Sequence, residues 1–186
     1  MKMGLVILLA LSWSVCGSAA PHVAFRDLPE AILGGDAGRT SLACELSPQG
    51  WRGSITRSLS PRIDVSASTS PRNLFDLEAR VLVVKNLLPL NVVVALSSQR
   101  LSLISTLFLG PVHVNYGRTW GDETVRWGYL QHAFHQTMSL VLGLEQRNDT
   151  LGAILGLRIH PGRTRLWGAS LLVTPGGARL TVGGTL

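Results

Sequence analysis

His132 and His135 lie three residues apart in the run Tyr129-Leu-Gln-His-Ala-Phe-His-Gln. Two imidazoles at that spacing could share a metal on a helix, but in a strand they point to opposite sides. His135, Ser139 and Glu145 have the same parity and the residue types of a base, a nucleophile and a carboxylate. At ordinary strand rise Ser139 and Glu145 stand about 20 Å apart, beyond hydrogen-bond reach, so a triad would need a partner from another strand. Cys44 has no nearby base and is expected to be buried or redundant; with Cys16 in the leader it has no partner for an internal disulfide. No glycine loop ends in Lys-Ser or Lys-Thr, and no Gly-x-Ser-x-Gly elbow occurs. Asn148-Asp149-Thr150 fits a glycosylation acceptor and fits turn chemistry equally well. The expectation is therefore a protein without catalytic residues, metal ligands or cofactors.

The elements that would carry these residues are clearest in the last third of the chain. Across 137–145, Met138, Leu140, Leu142 and Leu144 share one face, opposite Thr137, Ser139, Val141, Gly143 and Glu145. After the turn residues 147–150, Leu151, Ala153, Leu155, Leu157 and Ile159 alternate with Gly152, Ile154, Gly156 and Arg158. The pattern returns over 167–174, where Leu171 shares a face with Trp167, and over 178–186, where Arg179 shares one with Thr181. Apolar side chains recurring every second residue in segments of this length, joined by Gly, Pro, Asn and Asp, predict an antiparallel meander. A helix would repeat its apolar face every 3.6 residues.

Weaker alternation appears at 51–56, 63–68, 77–83, 112–117 and 125–129. Segments 90–96 and 101–109 are too uniformly apolar for period to decide, although Pro89 and Val92-Val93-Val94 favour strand. Ten to twelve strands are expected from about residue 40 onward. Upstream, Met1-Lys2-Met3, an uncharged run to Val15 and the small residues before Pro21 read as a signal peptide, 1–19, cleaved after Ala19. Val15 before Cys16 and Trp13 argue against lipidation. Residues 20–39 read as an irregular lead-in or short plug, and 40–186 as one barrel domain.

The formal net charge of +6 is carried almost wholly by arginines that form neither run nor stripe, which with the export signal argues against nucleic-acid binding. Only 15% of the 186 residues are charged, and faces such as Thr137, Ser139, Val141 and Gly143 are poor in charge for a solvated surface. A membrane barrel inverts the usual arrangement, with large apolar residues toward lipid and small, polar or charged ones toward the lumen. On that reading Met138, Leu140, Leu142, Leu144, Leu155, Leu157 and Leu171 face lipid. Ser139, Gly143, Glu145, Gly156, Arg158 and Arg179 face the lumen, where Arg and Glu can pair. Trp51, Trp120, Trp127, Tyr129 and Trp167, mostly near segment ends, become interface aromatics.

With its leader and the terminal segments 137–145, 151–159, 165–174 and 178–186, the chain resembles bacterial outer-membrane β-barrels as a class. That class usually ends in an aromatic residue; Leu186 stands in that place here. The resemblance implies an all-β antiparallel meander closed as a small transmembrane barrel in the outer membrane, with the bilayer and possible envelope proteins as partners. A structural, adhesion or envelope-assembly role is expected, with at most a narrow pore, because an interior filled by side chains leaves little room for a wide one. The competing expectation is a soluble β-barrel or sandwich, periplasmic or extracellular, that binds a lipid or another protein.

Overall fold

The computed structural model describes residues 37–84, 89–160 and 167–185; the leader and most of the lead-in lie outside them. The order is β1 (Thr40–Ser47), β2 (Gly50–Ser60), β3 (Ile63–Thr69), β4 (Asp76–Val84), β5 (Leu90–Ser97) and β6 (Leu101–Leu109). It continues with β7 (Val112–Trp120), β8 (Val125–His135), β9 (Met138–Arg147), β10 (Thr150–Ile159), β11 (Trp167–Thr174) and β12 (Gly177–Thr185). Every strand pairs antiparallel with its sequence neighbours, and β12 pairs back onto β1, from Ser41 opposite Thr185 to Leu46 opposite Leu180. The twelve strands thus form a closed all-β barrel, with no helix among the described residues. The two segments of undecided period, now β5 and β6, are strands.

Connections after odd-numbered strands lie at one end, the first rim; those after even-numbered strands lie at the other, the second rim. Asn148 joins β9 to β10 with φ 51°, a left-handed conformation that Asn tolerates better than most side chains. Gly110, at φ 63°, does the same between β6 and β7. Register shifts occur at Ser58/Ser60, Leu82/Val84 and Ala133/His135, all at the second rim. An extra residue there increases local twist and bends the strand, which helps a sheet of this size to close.

Alternation then divides the wall into two faces. Inward apolar side chains concentrate on β5–β11: Val93, Ala95, Ile104, Trp127, Tyr129, Val141, Ile154 and Leu172 are all buried. Buried polar and charged side chains dominate β2–β4 and β12, among them Ser58, Asp64, Ser66, Asp76, Glu78, Arg80 and Thr181.

Three large inward side chains are accommodated by glycines directly opposite them. Trp127 pairs with Gly117, Tyr129 with Gly143, and Leu172 with Gly156. A Cβ on Gly117 would enter the Trp127 ring, and one on Gly156 would strike the Leu172 side chain and the Leu171 carbonyl. At Gly143 the obstruction includes backbone, the carbonyl of Gly128 and Cα of Tyr129, which cannot step aside as a side-chain tip can. Gly53 differs, because its nearest atoms would stand at an ordinary 3.8 Å.

Gly143→Ala is therefore expected to lower unfolding stability by about 1–3 kcal/mol, as overpacking does, while Gly53→Ala stays close to the parent. Urea midpoints of the refolded protein in detergent check this; equal losses for both variants would contradict the assigned packing.

Candidate functional site

The outer wall carries a continuous band of large apolar side chains. Leu140 pairs with Leu157, Leu157 with Leu171, Leu171 with Leu180 and Leu180 with Leu46, so one row crosses five strands. A second row joins Leu130, Leu142, Leu155 and Val173. Leu142, Leu155 and Leu171 are 47%, 52% and 52% exposed, and Leu144 is exposed on the same face. Met138 and Leu157 point the same way and are half-buried by their neighbours. All the residues assigned to the leucine face from sequence lie together on this outer wall.

Ser139, Gly143, Glu145, Gly156, Arg158 and Arg179 fall on the inner wall, most of them in contacts that the sequence did not specify. The fully buried Arg158 donates to Gln131 Oε1 at 2.7 Å and lies over the Tyr129 ring, 5.6 Å from its centroid. Arg147 bridges buried Glu145 (3.4 Å) and exposed Glu123 (3.2 Å). Arg179 is half-buried on β12, near Gly176.

A denser charge network sits toward the first rim. Arg80 donates to Glu78 at 2.8 Å, Arg52 reaches Asp76 at 3.3 Å, and Arg100 stands 3.7 Å from both Asp76 and Glu78. Arg80, Glu78 and Asp76 lie along one inner face of β4, which is why the alternation of Glu78 and Arg80 with leucine and valine marked it. Asp76 and Arg100, at the rim, carried no such signal.

Two sequence expectations are corrected. Trp127 and Tyr129 are not interface aromatics: they point inward and are buried, seated on Gly117 and Gly143, while Leu130 takes the outer face of β8. Their rings lie tilted by 33°, with centroids 5.7 Å apart. Trp51, Trp120 and Trp167 do lie on the outer face near strand ends, the first two at the first rim and Trp167 at the second. Cys44 is exposed rather than buried, since it shares the outer face of β1 with Leu42 and Leu46. The His135, Ser139, Glu145 set, too far apart along its strand to act as a triad, is held by other partners. His135 Nδ1 meets Thr137 at 3.1 Å, and Glu145 is held by Arg147.

Ser139 instead lies 2.7 Å from His160 Nε2, a nitrogen that Gln131 also approaches at 3.3 Å. With Gln131 as donor to that nitrogen, the proton of His160 belongs on Nδ1 and Ser139 donates as well. A serine–histidine pair of this length could activate a hydroxyl, but Ser139 is 0% exposed. Among the described residues no group of three or more His, Cys, Asp or Glu is placed to hold a metal.

No family model and no curated protein matches the chain. Among solved structures it resembles one described as a KdgM porin, at 12% identity and a TM-score of 0.53. That alignment covers 79% of this chain and 97% of the other. The likeness is one of fold.

The inner network makes a direct prediction. Glu78→Gln leaves the buried Arg80 guanidinium without its carboxylate and is expected to cost about 3–5 kcal/mol of stability. Glu123→Gln, which removes an exposed partner, should cost about 0–1 kcal/mol. Comparable unfolding midpoints for the two variants would show that the interior is wet enough to screen the charge.

Proposed function

We propose that the chain is a non-enzymatic outer-membrane β-barrel with a narrow lumen, serving a structural, adhesion or envelope-assembly role. Met138, Leu140, Leu142, Leu144, Leu155, Leu157 and Leu171 then face lipid, and Ser139, Gly143, Glu145, Gly156, Arg158 and Arg179 line the lumen. One observation carries this reading: the distribution of polarity is turned inside out. Asp64, Glu78, Arg80, Glu145 and Arg158 are buried, while leucines on strand after strand are exposed. Apolar patches on soluble monomers are seldom larger than a few hundred Å2. A band circling the wall fits hydrocarbon as its solvent, with each strand paired to both neighbours as a bilayer demands.

The narrow lumen is supported by the fate of the inner side chains. Val93, Thr106, Ser139, Val141, Ser170 and Leu172, from the four strands β5, β6, β9 and β11, are all 0% exposed. Side chains around a wide aqueous channel would be open to water. A second reading, a narrow pore, draws on Ser41, Arg52, Ser54 and Thr56, which are inward but only half-buried. Any passage would follow this hydroxyl-rich wall of β1 and β2. Trp51, Trp120 and Trp167 have the placement of interfacial anchors.

Single-channel recording on the full mature chain in a planar bilayer discriminates these roles. The structural reading expects no steady conductance at modest voltage. Regular ohmic openings would overturn it in favour of a pore, and their loss on replacing Thr56 with a bulkier residue would assign the path to the β1–β2 wall.

A further inference from the structure

Arg118 on β7 and Arg126 on β8 are direct cross-strand partners, and both lie on the outer face beside the first rim. Like charges directly opposite one another destabilise a sheet unless something compensates them. Among the described residues no carboxylate does so. In the adjoining turn Asp122 makes no ion pair among the described residues, and Glu123 is committed to Arg147. Arg118 is oriented instead by Trp120, its guanidinium 4.9 Å from the ring centroid, and its Nε is buried without a hydrogen-bond partner. Gln146 on β9 stands opposite Arg126 and continues the row, adding a neutral amide donor. One step toward the middle of the wall, exposed Tyr116 faces Gly128 on the same outer face.

We propose that Arg118, Arg126 and Gln146 bind the phosphate of an anionic lipid headgroup, with Trp120 fixing the first guanidinium and the acyl chains lying on the leucine band below. This rests on the membrane-barrel reading and extends it to a defined lipid site. Two guanidinium groups on neighbouring strands, about 5 Å apart at their Cβ atoms, can present parallel N–H pairs to one phosphate. The depth is suitable as well. An outward arginine is costly in mid-bilayer but is tolerated near the interface, where headgroup phosphates lie. An anionic headgroup would relieve the repulsion that the described residues leave uncompensated.

The test uses the full mature chain in bilayer nanodiscs of phosphatidylcholine mixed with phosphatidylglycerol, released into detergent and examined by native mass spectrometry. Correct insertion is checked first by protease protection and β-type circular dichroism. The parent should retain phosphatidylglycerol in preference to phosphatidylcholine. Arg118→Gln and Arg126→Gln should each weaken retention about tenfold, the loss of one charge-assisted contact. Arg57→Gln, another exposed outer-face arginine, should leave it unchanged. An inserted protein that retains no anionic lipid, or a double variant that retains as much as the parent, would overturn the site and leave the barrel reading standing. Displacement by inorganic phosphate at matching concentration would mean a free-anion site rather than a lipid one. A chain that stays soluble and never inserts would overturn both.

Discussion

The structure depends on the pairing of β1 with β12. A β-sheet presents unpaired N–H and C=O groups at its edges, and in hydrocarbon no water is available to satisfy them. The ladder from Ser41–Thr185 to Leu46–Leu180 removes both edges at once. Once the sheet is closed, each strand has one inner and one outer face, and the two-residue period of the sequence becomes a radial sorting of side chains. The apolar outer band and the charged interior are consequences of closure. An open sheet with the same sequence would leave its leucines and its edge strands exposed together, a surface prone to aggregation.

The interior must then be filled without straining the wall. The pairs Trp127–Gly117, Tyr129–Gly143 and Leu172–Gly156 show how: a large side chain is laid against a neighbouring strand whose glycine has no Cβ in the way. This explains the abundance of glycine within strands, where it is otherwise unfavourable for lack of a side chain to pack. On the opposite wall the filling is electrostatic. Asp76, Glu78, Arg52, Arg80 and Arg100 compensate one another over β2, β4 and the rim. Burial of such groups is tolerable only because each has a counter-charge.

Much of this was legible in the residues. The strands β9–β12 alternate so regularly that their faces followed directly, and Ser139, Glu145 and Arg158 fall on the inner wall as parity required. The face of β8 differs from the expectation because placement near a segment end suggested that Trp127 and Tyr129 belong outside. What directs them inward is glycine on β7 and β9, and that relation exists only once the register is known. Cys44 was the opposite case, since its parity with Leu42 and Leu46 already placed it outside. The Ser139–His160 contact arises from the β9–β10 hairpin, which sets Met138 beside Ile159 and so brings residues 21 apart together. Arg118 and Arg126 meet through the β7–β8 hairpin in the same way. Contacts of this kind depend on turn length and bulges, which local periodicity does not encode.

The central claim is that the leucine face meets hydrocarbon and the serine face does not. Single-cysteine variants at Leu142 and Ser139, made in a Cys44→Ser background and labelled with a polarity-sensitive dye, test it in lipid vesicles. Leu142, exposed on the outer wall, should give an apolar spectrum and be quenched strongly by a quencher carried on lipid acyl chains; the buried inward Ser139 should escape that quenching. A Leu142 probe shielded from lipid, with a Ser139 probe open to a water-borne quencher, would contradict the barrel's orientation and return the protein to the class of soluble β domains.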